Sequence, residues 1–142
     1  YVVMVDYSKS IFNKRLYVVN CNTSKIEITS IVSHAWNSGS IYASNFSNKE
    51  GSLKSSLGVY ITEKTYYGNF GYSLVLKGLD KTNSIAEKRK IIFHSNKKMR
   101  SKWSWGCFAT HDTINPLSVE PPSMSVPTIV TFPVASRFTE IS

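Results

Sequence analysis

The sequence predicts a single, mainly β domain with one or two short helices, and three observations support this prediction. The length of 142 residues suits one domain, because domains commonly hold about 100 to 150 residues. Hydrophobic residues make up 42% of the chain, which is enough to build a packed core and unlike the composition of disordered proteins. Runs rich in Val, Ile and Tyr alternate with segments of turn-forming residues, which is typical of a β meander.

Three strands are predicted in the first third of the chain, over Tyr1–Tyr7, Arg15–Asn20 and Lys25–His34. Residues 35–57 are rich in Ser, Asn and Gly and are predicted to form a long loop. Loops of this length within compact domains are usually functional or disordered.

A hairpin is predicted next, because apolar residues recur at alternate positions on either side of a glycine-rich turn. Its strands are Leu57–Thr62 and Tyr72–Lys77, and its turn is Gly68–Gly71. One helix is predicted after it, over Asp80–Lys90, with basic residues in its last turn and Asp80 or Asn83 as the N-cap.

The helix leads into an apolar strand, Ile91–His94, that ends on a histidine. Beyond residue 110 the chain holds its five prolines, which exclude a helix there and confine any strand, such as Thr128–Phe132, to a sheet edge or a short run. We assign residues 1–142 to one domain, with 111–142 as an atypical proline-rich segment.

The net charge of +8, with a pI near 9.5, favours an anionic partner. Nucleic acid is disfavoured, because the basic residues are scattered and approach a cluster only at Lys97, Lys98, Arg100 and Lys102. An anionic cell-wall polymer suits the charge, and a merely solvated basic surface suits it equally well. We expect no membrane span, because no apolar run approaches about 20 residues.

A cysteine and a histidine near the end of the predicted sheet could form a nucleophilic pair. Cys107 follows Gly106, which allows a sharp turn, and His94 ends the preceding strand. A thiol attacks at neutral pH only when its pKa falls or when a base removes its proton. The alternative is that Cys107 is a small buried apolar residue, which is the commoner role for a lone cysteine in a β protein.

The two short segments His94-Ser95 and Ser104-Trp105-Gly106-Cys107 resemble the signature of the L,D-transpeptidases with a YkuD-like fold. The branch described as the murein L,D-transpeptidase catalytic domain often has a different residue at the second position of the cysteine block, as this chain does with Trp105. The resemblance extends over residues 1–110. Segments similar to that branch include Val5–Ser8, Lys14–Leu16, Ser33–Gly39, Phe46–Asn48, Gly51–Gly58 and Gly71–Leu74.

The resemblance implies a mixed β-sheet domain, a β-sandwich, that acts without a cofactor on the tetrapeptide stems of peptidoglycan. In this family the cysteine, here Cys107, attacks the third, L-centred residue, expels the terminal D-alanine and passes the acyl group to an amine or to water. His94 would be the general base, and the backbone carbonyl of Ser95 would orient its ring. Amides of Gly106 and Cys107, with Trp105, would form the oxyanion hole, and Ser104 would brace the loop.

Further site residues follow from the same resemblance. His34 is predicted as a second active-site imidazole, with a local strand-end contact as the alternative. Tyr72, Ser55 and Ser56 are predicted to contact substrate, although a Tyr on an alternating strand is more often a core residue. His111 is predicted to lie on the surface. Two roles stay open for the tryptophans Trp36, Trp103 and Trp105. They could stack on glycan, or they could pack within the protein.

Three departures from the family pattern leave a catalytically degenerate cell-wall-binding module as the alternative function. His94 and Cys107 are closer in sequence than is usual, Trp105 replaces a histidine, and the proline-rich tail matches nothing in the family. Two cysteines and three histidines show no zinc-ligand spacing, so no metal is expected. We expect an exported monomer of the periplasm or cell envelope, with Cys21 unpaired.

Overall fold

A computed structural model of the chain describes residues 1–95, 103–110 and 128–132. His111 and the basic group Lys97, Lys98, Arg100 and Lys102 lie outside these residues. The described part is mainly β, as predicted. Its strands are β1 (Val2–Asp6), β2 (Leu16–Asn20), β3 (Lys25–Ser30), β4 (His34–Ala35), β5 (Val59–Gly68), β6 (Gly71–Gly78), β7 (Ile92–Ser95), β8 (Trp103–Ser104), β9 (Phe108–Thr110) and β10 (Thr128–Phe132).

The strands form one large mixed sheet and one small sheet. The large sheet has the order β3-β2-β1-β10-β5-β6-β7-β9, and the small sheet pairs β4 with β8 in parallel. In the large sheet β1 is parallel to β10 and β7 is parallel to β9, whereas the other neighbours are antiparallel. The meander β1-β2-β3 and the β5-β6 hairpin are both confirmed, and the hairpin turn lies between Gly68 and Gly71.

The large sheet curls around one apolar core. Alternate residues of β1 and β2, among them Val3, Val5, Leu16 and Val18, are buried in it, as the period-2 pattern requires. Tyr60 of β5 and Phe108 of β9 meet edge-on in the same core, with 5.3 Å between their ring centroids. Strands three places apart would be separated by roughly 14 Å in a flat sheet. The ring contact therefore requires curvature.

The helix predicted over Asp80–Lys90 is wrong, because this segment is a series of turns. The two predicted N-caps bond instead to a strand: Asp80 Oδ2 accepts from the Val59 amide at 2.6 Å, and Asn83 Nδ2 donates to the Val59 carbonyl at 2.8 Å. Gly78 is needed at this junction, because a Cβ there would lie 1.9 Å from the Asn83 carbonyl oxygen. Both predicted caps thus bond to β5, and the segment forms successive turns that include a bond from the Arg89 amide to the Ile85 carbonyl at 2.9 Å.

One strand prediction is corrected in position, and another is confirmed. The strand predicted to reach His34 ends at Ser30, and the chain resumes in β4 after Val32 bridges to Thr110. β10 has the predicted bounds and is the short run that the prolines allow, and it lies inside the sheet between β1 and β5.

Residues 35–57 form the predicted loop, which holds one 3₁₀ turn, Trp36–Ser38. The loop is tied together by hydrogen bonds such as the one from the Asn37 amide to the Leu53 carbonyl at 2.8 Å. No helix in the described part of the chain is long and apolar enough to cross a membrane.

Candidate active site

The histidine at the end of β7 lies on the face of the sheet opposite the core. Phe93 pairs with Phe108 and both rings are buried in the core, so the next residue, His94, points to the other face. His94 pairs with Ala109 across the parallel β7-β9 ladder, and Cys107 precedes Ala109 by two residues. Cys107 immediately precedes β9 and lines the same cavity as His94, so the two side chains share this face of the sheet.

A cavity of about 740 Å³ lies on this face, and both residues line it. Its volume falls within the range of about 300 to 1,000 Å³ that is typical of small-molecule sites. Residues of the hairpin turn, of the segment before β7 and of the β8 region also line it; they include Tyr66, Phe70, Arg89, Ile92, Trp103 and Trp105.

The imidazole of His94 is oriented by the backbone of the next residue. Its Nδ1 lies 2.7 Å from the carbonyl oxygen of Ser95. Because a carbonyl only accepts, Nδ1 carries the proton, and Nε2 is the acceptor nitrogen of the neutral ring. Burial lowers the pKa of His94, and the hydrogen bond to Ser95 opposes that shift. The ring is therefore a neutral base near pH 7.

The loop around Cys107 is braced by two buried serines. Ser104 Oγ donates to the Cys107 carbonyl at 2.8 Å and accepts from the Gly106 amide at 3.1 Å. Ser33 Oγ donates to the same carbonyl at 3.2 Å and accepts from the Ala109 amide at 3.1 Å. Gly106 has a φ of +133°, which L side chains rarely adopt. Sequence reasoning gave Ser104 this bracing position and missed Ser33, which is 74 residues away from Cys107 in the chain.

The thiol of Cys107 is held in its neutral form. Burial raises the pKa of Cys107, while a hydrogen bond from the Ile92 backbone and the positive charge of Arg89 oppose the rise. The thiol contacts the Lys90 carbonyl at 3.5 Å, a contact that suits an S–H donor. A neutral thiol and a neutral imidazole thus share the cavity, an arrangement that suits proton transfer from sulfur to a base during attack.

Arg89 is a cavity residue that sequence reasoning missed. Its guanidinium is anchored to the 35–57 loop, with Nη1 donating to the Ser47 carbonyl at 2.9 Å and Nη2 to the Lys54 carbonyl at 2.5 Å. Burial lowers the pKa of Arg89, and its electrostatic partners include Tyr60 and Cys107. Arg89 therefore fixes a positive charge beside the thiol.

His34 was predicted as a second active-site imidazole, and the structure places it elsewhere. It is fully buried and does not line the cavity. Its Nδ1 accepts from Arg15 Nη2 at 2.9 Å, and its Nε2 lies 2.8 Å from the Gly39 carbonyl and 3.1 Å from the Ser40 carbonyl. Both ring nitrogens are thus occupied by protein groups. This matches the alternative, a local structural contact.

Ser55 and Ser56 are also buried away from the cavity. Ser55 Oγ accepts from the Ala35 amide at 2.9 Å, and Ser56 Oγ lies 2.6 Å from the Tyr60 hydroxyl. Tyr72 packs its ring against Tyr67, with 5.1 Å between ring centroids. None of these three residues lines the described cavity, so we assign them to packing and loop order.

The tryptophans differ in exposure. Trp105 is 79% exposed at the cavity, and Trp36 is 60% exposed. Trp103 lines the cavity, donates from Nε1 to the Ser40 carbonyl at 2.9 Å and meets Trp36 edge-on. Within the residues that the structure describes, no group of three or more His, Cys, Asp or Glu side chains is placed to hold a metal ion.

Comparison with known proteins identifies the family. No curated protein matches the chain. The family model described as the L,D-transpeptidase catalytic domain matches residues 1–117, which include β1 to β9 and both His94 and Cys107. This chain therefore belongs to the L,D-transpeptidase catalytic domain family of YkuD type.

Proposed function

We propose that this domain is a cysteine-dependent L,D-transpeptidase of peptidoglycan, with Cys107 as the nucleophile and His94 as the general base. The observation that supports this best is the protonation state of His94. Its Nδ1 lies 2.7 Å from the Ser95 carbonyl oxygen and therefore carries the ring proton. Nε2 is left as a base in the cavity that also holds the Cys107 thiol. Family membership supports peptidoglycan as the substrate, and the proposal takes its stem peptides as the part that reacts.

The reaction begins with proton transfer from Cys107 Sγ to His94 Nε2 as sulfur attacks the carbonyl of the third, L-centred residue of a tetrapeptide stem. The C–N bond to the terminal D-alanine then breaks, and His94 returns its proton to the leaving amine. A thioester remains on Cys107. An amine of a neighbouring stem, or water, then attacks it and gives a cross-link or a shortened stem.

The oxyanion of the tetrahedral intermediate needs amide donors near Cys107. The Gly106 amide already donates to Ser104 Oγ, so we assign this role to the amides of Trp105 and Cys107, with Gly106 supplying the backbone turn. Ser104 and Ser33 hold the Cys107 carbonyl and so keep the attacking residue in one orientation. The net charge of +8 favours approach to an anionic cell wall, and we place the domain in the cell envelope.

The test is mass spectrometry of the intact protein with a tetrapeptide stem ending in D-alanine. We expect an adduct of the tripeptide acyl group on Cys107, free D-alanine, and loss of both in Cys107→Ala. A catalytic base contributes roughly 100-fold to 10,000-fold, so His94→Ala should slow adduct formation on that scale. Ser95→Ala should change little, because the contact uses the backbone carbonyl.

The matched control is Cys21→Ser, because Cys21 is the other cysteine and its thiol is exposed and free. It should react at the wild-type rate, and a carbapenem should label Cys107 and not Cys21. An adduct on Cys21 would contradict the assignment. Binding of the stem peptide without D-alanine release by folded protein would favour the degenerate cell-wall-binding module instead.

A further inference from the structure

The hairpin turn between β5 and β6 lies over the histidine of the candidate site. Tyr66 pairs with Ser73, and Ser73 pairs with His94. Paired residues of neighbouring strands share a face, so these three residues form one row across the sheet. The turn at the end of the hairpin places Phe70 against His94, the last residue of this row.

Phe70, in that turn, stacks on the imidazole of His94. The ring centroids are 4.5 Å apart and the planes differ by 18°. His94 is only 1% exposed although it points away from the core, whereas Phe70 remains 37% exposed. A residue on the outer face of a sheet is buried only when something covers it. Phe70 is the aromatic ring in contact with the imidazole in the described part of the chain.

We propose that Phe70 is a positioning residue for His94, holding the imidazole plane and excluding water from one face of the ring. The effect of Phe70 on catalysis rests on the proposed function, whereas its contact with His94 is observed directly. The hydrogen bond to Ser95 fixes one ring nitrogen, and a single hydrogen bond leaves the tilt of the plane free. The stacked phenyl ring removes that freedom and points Nε2 in one direction.

Burial is the main influence on the protonation of His94, and Phe70 contributes to that burial through its stacked ring. The titratable groups that line the described cavity with it are Tyr66, Arg89, Lys90 and Cys107, and none is a carboxylate that would hold an imidazolium. Burial accordingly lowers the pKa of His94. A stacked phenyl ring also attracts a cation, which acts against this shift, but the lowered pKa of His94 indicates that burial has the larger effect.

The test compares Phe70→Ala with Phe70→Tyr, which keeps the ring, in the full chain. Phe70→Ala should lower kcat for D-alanine release by about 10-fold, a fraction of the full contribution of a base, with little change in KM. It should also raise the pKa of His94 toward its ordinary value, as followed by NMR titration of the imidazole. Phe70→Tyr should restore both.

Tyr67→Ala is the matched control, because Tyr67 lies in the same hairpin, is 81% exposed and packs on Tyr72 and not on His94. It should leave kcat and the titration unchanged. A His94 titration in Phe70→Ala that matches the wild type, or that moves to lower pKa, would overturn the proposal. The titration needs no substrate, so it decides the role of Phe70 even if no stem peptide is turned over.

Discussion

Replacing His34 by Ala tests whether this histidine supports the fold or takes part in the chemistry. The ring links two parts of the chain, because Nδ1 accepts from the buried Arg15 and Nε2 donates toward Gly39 and Ser40. Arg15 in turn donates to the Val32 and Lys9 carbonyls and lies over the Tyr7 ring. His34→Ala therefore removes the central contact of a buried polar network.

The cost can be worked out from these contacts. Two hydrogen bonds are lost, because the single Nε2 proton is shared between the Gly39 and Ser40 carbonyls. Each bond has a net contribution of roughly 0.5 to 1.5 kcal/mol, and unpaired buried groups add to the loss. The void left by the ring adds a packing term. We expect a loss of about 3 to 5 kcal/mol in the free energy of unfolding. For a chain of 142 residues this corresponds to a fall in Tm of roughly 10 to 20 °C.

The assay is chemical unfolding, paired with D-alanine release well below the Tm of the variant. His34→Ala should be much less stable, yet its folded fraction should keep most of the wild-type rate. His94→Ala is the matched comparison. It loses one hydrogen bond to the adjacent residue and the stacking contact with Phe70, so stability should fall less than in His34→Ala while the rate collapses. Wild-type stability in His34→Ala together with abolished release would refute this reasoning and return His34 to the active site.

Two further predictions concern the cysteine loop and acid. Ser104→Ala leaves the buried Gly106 amide without its acceptor, at a local cost of about 1 to 3 kcal/mol. Single-turnover acylation should therefore slow by roughly 10-fold, while the circular dichroism spectrum stays that of the wild type. An unchanged rate would show that the hydrogen bonds of Ser104 are dispensable. Burial lowers the pKa of both His34 and His94, so the unfolded chain binds more protons than the folded chain as the solution becomes acidic. The contribution of these two histidines to the free energy of unfolding should be fully present above their unfolded pKa of about 6.5. It should be lost as the pH falls through their lowered folded pKa values. Urea unfolding between pH 8 and pH 5.5 measures this, and a flat profile would contradict it.

The sequence was sufficient where the determining interactions are local. Alternation of apolar residues predicts the β5-β6 hairpin, and the contact between His94 and the carbonyl of the next residue follows from the family resemblance. The helix over Asp80–Lys90 fails because both predicted caps bond to Val59, more than 20 residues earlier in the chain. A pattern within a short segment carries no information about hydrogen bonds to a residue so far away in the chain.

The same limit applies to the site. Ser33 reaches the Cys107 carbonyl across 74 residues, and Phe70 reaches His94 only because β6 pairs with β7. His34 lies in a segment that resembles the family, but its hydrogen bonds depend on Arg15. Arg15 is buried, and no apolar pattern in the sequence predicts that burial. These contacts can be predicted only when the pairing and register of the strands are known.

The position of β10 has a consequence for how the chain assembles. β10 separates β3-β2-β1 from β5-β6-β7-β9, and its Thr128 pairs with Val2 across 126 residues (128 minus 2). Contacts so distant in sequence form slowly, because a long loop must close first. The half with His94 and Cys107 is nearly continuous in sequence and can pair early. Until β10 is inserted, β1 and β5 both present unpaired edges, so the nascent protein is open to intermolecular strand pairing for as long as this late segment is missing.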